Sequence, residues 1–137
     1  CNKMQGQITS GANSIAQRAT IAALDASPEK IKYMVDEFKK RRTIILRLLS
    51  KIQGVKTNIP EGSFYVFPDI SSFFGKTIKN KKINDSNDFA LLLLEKAHVA
   101  TVAGEPFGNP NCIRISYAAS IKNIETAIER IKNVLKE

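Results

Sequence analysis

The sequence predicts an α/β fold, a small β-sheet covered by amphipathic helices, and three observations predict it. Ile121, Ile124, Ile128, Ile131 and Leu135 make a stripe at helical spacing, opposed by Lys122, Glu125, Glu129, Lys132 and Lys136. Such a segment is a helix packed on one face of a sheet. Ile113, Ile115 and Tyr117 alternate with Cys112, Arg114 and Ser116, the period of a strand. Taken along the chain, the elements read α-α-β-β-α-β-β-α, without an internal repeat or a low-complexity linker.

Residues 1–12 are polar and lack periodicity, so they read as irregular. Asn13 to Ala26 is alanine-rich, with Ile15, Ala19, Ala22 and Ala23 at helical spacing, a face of small residues suited to close packing against another element. Ser27-Pro28-Glu29 is a helix start: serine caps, proline suits the first helical position, and an acid complements the positive end of the dipole. Ile31, Val35, Phe38, Ile45, Leu49 and Ile52 then predict one long amphipathic helix to about Ile52, stopped by Gly54.

Val55 to Asn58 reads as a short edge strand ahead of a turn at Pro60-Glu61-Gly62. Ser63 to Asp69 carries apolar groups on both faces, which predicts a strand covered on both sides. Ser71 to Asn84 reads as a polar loop anchored by Phe73 and Phe74. Asp85 or Ser86 caps a helix through Ala97, with Phe89, Leu92, Leu93 and Lys96 marking its turns. Val99 to Ala103 and Ile113 to Tyr117 are strands.

A chain of 137 residues with 43% hydrophobic content supports one domain with a real core. No apolar run is long enough to span a membrane, and no secretory signal is visible. Cys1 and Cys112 are too few for a disulfide framework and read as free thiols of a cytoplasmic protein. The net charge of +8, from 21 basic and 13 acidic residues, is dispersed through helices and loops and accompanies no nucleic-acid motif. The clusters Lys39 to Arg42 and Lys76 to Lys82 are therefore read as solvated faces, and nucleic acid is not expected as a partner. His98 is the only histidine, so neither a metal site nor a Ser–His or Cys–His pair is expected, and it reads as a helix-end residue.

Arg114 is the candidate site residue. A guanidinium is always charged and is costly to bury alone, so an arginine within a strand needs a carboxylate or phosphate partner. Between Glu105 and Glu125 the sequence offers no acid, leaving a distant carboxylate of the fold or an anionic ligand.

The segment Arg114-Ile115-Ser116-Tyr117-Ala118, with Gly104-Glu105-Pro106-Phe107-Gly108 ahead of it, resembles the C-terminal part of fold-type I, pyridoxal-phosphate-dependent aminotransferases of the aspartate aminotransferase family. Thr9-Ser10 with Ser14-Ile15-Ala16-Gln17 resembles the family's T-S-N-x-x-S-I-A-Q segment, and Pro60-Glu61-Gly62-Ser63-Phe64-Tyr65 its P-x-G-[AS]-F-Y strand entry. The motifs stand in family order over nearly the whole chain.

The resemblance implies that Arg114 grips a substrate α-carboxylate. It also implies that residues 1–26 end a large cofactor domain and that 27–137 form the C-terminal small domain, including the interdomain helix. Thr9 and Ser10 would lie near the cofactor site of a neighbouring subunit in a homodimer, or else cap the next helix. Phe64 and Tyr65 read as core residues, with Phe64 also near the active-site rim. Ala103 stands where the family commonly has proline, which affects the shape of that loop alone; as backbone, Gly104 and Gly108 permit the turn into the arginine strand.

The implied activity is amino-group transfer between an amino acid, aspartate or glutamate, and a 2-oxo acid. Aromatic, alanine or kynurenine aminotransferases are alternatives, as is an aminotransferase-like ligand-sensing domain of a transcription regulator. The family's Schiff-base lysine sits in an S-K-x-[YF] motif followed by G-W-R-x-G-Y, and neither occurs here. With that absence and a start at Cys1, the chain is expected to be a fragment, inactive alone and holding no catalytic residue.

Overall fold

The computed structural model describes residues 1–136, which fall into two compact units, Cys1–Val35 and Asp36–Glu137. The first unit holds two helices, α1 (Asn2–Ile8) and α2 (Ser14–Leu24), and a 3-10 turn, Pro28–Ile31. A third helix, α3 (Lys32–Leu49), begins in the first unit and ends in the second.

Within the first unit, α1 forms where irregular chain was expected. Its lysine, methionine and glutamines are good helix formers, and with no buried residue it has no apolar stripe to betray it. Asn13 caps α2, its Oδ1 accepting from Ile15 N at 2.8 Å and Ala16 N at 3.4 Å. Ile15 and Leu24 are 78% and 80% exposed, so the small-residue helix keeps an uncovered apolar face. Ser27 caps the following turn as expected, accepting from Glu29 N.

The second unit is built on a three-stranded antiparallel sheet in the order β1-β5-β4, with β1 Tyr65–Val66, β4 Val102–Ala103 and β5 Ile113–Ser116. Tyr65 pairs with Ser116 and Val66 with Ile115 on one side of β5, Val102 with Arg114 and Ala103 with Ile113 on the other. Helix α5 (Ile121–Leu135), capped by Ser120, buries Ile124, Ile128, Ile131 and Val134. Those side chains join Ile45 and Leu49 of α3, Val66, Ile113, Ile115 and Tyr117 in one core.

Helix α3 stops at Leu49 rather than Ile52, and the chain tightens into three-residue turns through Ile52 N to Leu49 O (3.0 Å). Gly54, at φ +90°, then reverses it; a Cβ there would stand 2.6 Å from Ser72 Oγ. The strand expected over Ser63 to Asp69 is regular only at Tyr65–Val66, continuing as bridges from Asp69 to Lys56 and Cys112. Val66, Pro68 and Ile70 are buried while Tyr65, Phe67 and Asp69 are half-buried, so one face is in the core and the other is only part covered. The edge strand expected over Val55 to Asn58 amounts to the single Lys56 bridge.

The expected polar loop contains a hairpin, β2 (Thr77–Ile78) against β3 (Lys81–Lys82). Its turn residues Lys79 and Asn80 both have positive φ, +48° and +65°, as a tight two-residue hairpin requires. Asp85 caps α4 (Ser86–Leu92), which widens into a π-turn over Leu93–Ala97 and ends at His98 with φ +53°. His98 therefore takes the left-handed position just past a helix, where glycine is usual. Ala97, not Lys96, buries the last turn. Among the described residues no helix is long and apolar enough to cross a membrane, and no cluster of metal-ligating side chains occurs.

Candidate functional site

The pleat of β5 separates two jobs. Ile113, Ile115 and Tyr117 point into the core at 2%, 7% and 2% exposure, while Arg114 and Ser116 face outward. Through the Tyr65–Ser116 pairing, Tyr65 shares that outer face and is the diagonal neighbour of Arg114. The Arg114 guanidinium carbon lies 4.4 Å from the Tyr65 ring centroid and 4.1 Å from that of Phe107. Both distances are well inside cation–π range.

Phe107 arrives on a short 3-10 turn, Glu105–Phe107, that opens at Gly104 and closes at Gly108, with φ +84°. Gly104 O accepts from Phe107 N at 2.9 Å and Asn109 N at 3.2 Å, fixing the turn. The other wall is tied to the core, since Tyr117 Oη donates to Ser63 O at 2.8 Å, and Arg42 Nη1 donates to Pro60 O at 2.8 Å.

No carboxylate among the described residues pairs with Arg114, and none of their acceptors engages its guanidinium. The distant-carboxylate alternative thus has no candidate among them. A half-buried guanidinium with two aromatic neighbours and an open N–H fork is suited to a planar anion, which it can hold by two parallel charge-assisted hydrogen bonds.

Nearby, Asp69 Oδ1 accepts from Ser71 N at 2.8 Å, and the Ser71 hydrogen bonds hold its carboxyl below the ordinary value, with Lys56 adding to the effect. Burial pushes the Cys112 thiol up, and the Asp69 charge pushes it the same way. Cys112 is therefore an inert thiol, and Cys1 is free and exposed.

Phe64 is 41% exposed and stacks on Tyr65 at 4.4 Å between centroids, so neither ring is the core residue the sequence suggested. Thr9 and Ser10 lie in the first unit, both exposed. Thr9 Oγ1 donates back to Gln5 O at 3.0 Å and Ser10 has φ +55°; the cap of the following helix is Asn13 instead. Tyr65 and Phe107 were missed as neighbours of Arg114. Strand register identifies Tyr65, but nothing in the local pattern identifies Phe107.

A family model for aminotransferase class I and II matches residues 1–131. The chain belongs to that family. A bifunctional aspartate aminotransferase and glutamate/aspartate-prephenate aminotransferase of Petunia hybrida is 46% identical over 98% of this chain and 29% of its own length. The aspartate aminotransferase of Pinus pinaster is 45% identical, over 98% of this chain and 28% of its own length. The crystal structure of an aspartate aminotransferase from Rhizobium meliloti matches with a TM-score of 0.89 at 38% identity, over 96% of this chain and 33% of that one. The chain thus spans about 30% of the class I and II aminotransferases it resembles. These aminotransferase names give the regulator alternative no support, and the family implies pyridoxal phosphate as cofactor.

Proposed function

We propose that the chain is the C-terminal part of an aminotransferase that moves an amino group between aspartate or glutamate and a 2-oxo acid, with Arg114 receiving the substrate α-carboxylate. The observation that carries this is the half-buried guanidinium on β5, flanked by rings and without an anionic partner among the described residues, in a chain of this family. The fork binds the carboxylate in two places, and that fixes how the rest of the substrate points. When bound, pyridoxal phosphate supplies the electron sink for amino-group chemistry.

The residues of this chain do not themselves seat that cofactor. Its aldehyde requires a lysine held at the site, and the described lysines are exposed apart from the half-buried Lys81 and Lys132, of which Lys81 pairs with Glu95 at 3.4 Å. The contribution of this chain is to bind and orient, and alone it has no transaminase activity. In this reading residues 1–26 belong to the large domain and 27–137 to the small one. The intact protein is a cytoplasmic homodimer, with Thr9 and Ser10 near the neighbouring subunit's site and Phe64 at the rim.

The test is Arg114→Ala in the intact protein, followed by spectral titration with several amino acids. Losing a charge-assisted pair of hydrogen bonds, worth roughly 1.5–3 kcal/mol, lowers affinity for every substrate by about 10- to 100-fold. Arg114→Lys recovers only part, because a point charge lacks the fork. Substrate binding at wild-type strength with a collapsed melting temperature would show Arg114 to be structural.

A further inference from the structure

The two rings that flank Arg114 come from different parts of the fold. Tyr65 stands on β1 and Phe107 on the turn between β4 and β5. Tyr65 is carried by a strand paired with β5 and Phe107 by the turn that leads into β5, so two separate segments bring a ring over the same guanidinium. Neither ring is loose. Phe107 meets Phe67 edge-on, at 6.5 Å and 86°, and Tyr65 is braced by Phe64 at 4.4 Å and 42°.

Core packing alone does not account for this pair, since Phe107 is 46% exposed and Tyr65 is only half-buried, whereas rings that serve the core, such as Phe89 and Tyr117, are at 1% and 2%. An arginine side chain has many rotamers to lose when it grips a ligand. Two rings packed over the guanidinium restrict those rotamers beforehand. A ring face attracts the cation but accepts no hydrogen bond in the guanidinium plane, so the N–H fork stays free for an in-plane anion.

We propose that Tyr65 and Phe107 are positioning residues for the substrate carboxylate: by clamping the Arg114 guanidinium between their rings they present its N–H edge as a preformed, planar seat. The proposal rests on the role assigned to Arg114 above. The rings act on binding and not on the chemical step, and for Tyr65 the ring matters while the hydroxyl does not.

The experiment uses the intact, cofactor-loaded protein, with succinate as an unreactive carboxylate probe and an amino-acid substrate assayed alongside. In Phe107→Leu and in Tyr65→Leu, the dissociation constant for succinate and the KM both rise, by roughly 3- to 30-fold, the range expected for a cation–π contact, while kcat stays within about twofold. Tyr65→Phe keeps the ring and matches the wild type in both readouts. Melting curves accompany each variant, and if Phe107→Leu does not fold, Phe107→Met, which keeps bulk without an aromatic face, carries the same expectation. If the leucine variants bind succinate like the wild type while Arg114→Ala loses it, the clamp is overturned and the Arg114 reading stands. A fall in kcat at unchanged KM also overturns the clamp. Wild-type succinate binding by Arg114→Ala overturns both.

Discussion

Replacing Gly104 by alanine separates steric closeness from backbone conformation at the turn that delivers Phe107. Gly104 has φ −82°, which any residue adopts, so alanine meets no conformational penalty there. A Cβ would instead collide with the carbonyl oxygens of Asn109 and Cys112 and stand 2.9 Å from the Cys112 carbonyl carbon. All of these are backbone atoms, and no rotamer change moves them aside. Cys112 is bridged to Asp69, and the next residue, Ile113, is in the β4–β5 ladder, so the turn must give way. Overpacking against fixed surroundings costs roughly 1–3 kcal/mol. Gly108 is the control: nothing lies within 4 Å of its would-be Cβ, but its φ is +84°, so alanine there costs about 1–2 kcal/mol by conformation alone. Denaturant melts of the two variants of the intact protein read these stabilities. Succinate affinity should fall in Gly104→Ala in step with the displacement of Phe107. A Gly104→Ala protein as stable as the wild type would refute the close approach and the argument built on it.

Four further outcomes follow from burial and charge. Ile128→Ala, at a position 3% exposed, should cost about 2–5 kcal/mol in a denaturant melt. Ile15→Ala, at a position 78% exposed, should fall within about 0.5 kcal/mol of the wild type if that face is free in the species measured. Asp69 titrates below its ordinary range in the folded chain, so its contribution is present above the unfolded value of about 3.9 and is lost as pH falls through the folded value. Asp69→Asn should remove that part of the acid-limb slope, and an unchanged limb would count against the Ser71 contacts as its cause. Hydrogen exchange on the isolated chain should show residues 1–26 less protected than α5, because the first unit has no buried residue while α5 has four. Equal protection in a monodisperse monomer would count against that.

Where a single chain segment carries the signal, the sequence was readable. The isoleucine stripe of α5 and the alternation along β5 each declare which face is buried, and the structure buries Ile124, Ile128, Ile131, Ile113, Ile115 and Tyr117 accordingly. The β2–β3 hairpin was not legible, because its strands are two residues long, three of its four turn-flanking positions are polar, and the turn is Lys79-Asn80 without glycine. Helix α1 escaped for the opposite reason, having propensity but no periodicity. Arg114 stood out as a charge on a strand, whereas its flanking rings did not. Tyr65 becomes its neighbour only through the β1–β5 register, and Phe107 only through a turn closed by Gly104 and Gly108. Both depend on how segments meet, which local pattern does not encode.

The same pleat that makes β5 the centre of the sheet also determines what kind of site it can offer. With its neighbours Ile113 and Ile115 committed to the core, the intervening side chain is forced outward on a rigid, doubly paired strand. Sites on such strands are more precise than sites on loops. A guanidinium there loses part of its hydration to the two rings, and the cation–π attraction offsets that loss without satisfying the N–H fork. The fork has no acceptor among the described residues, and under the proposed role a carboxylate entering in its plane gains charge-assisted bonds to donors whose orientation is already set. A lysine would be held less firmly by the rings and would offer a point charge in place of a plane, and an apolar residue would be easier to fold around but would have nothing to offer an anion. In the role proposed for it, arginine at 114 serves binding on a strand whose other face already supplies the stability.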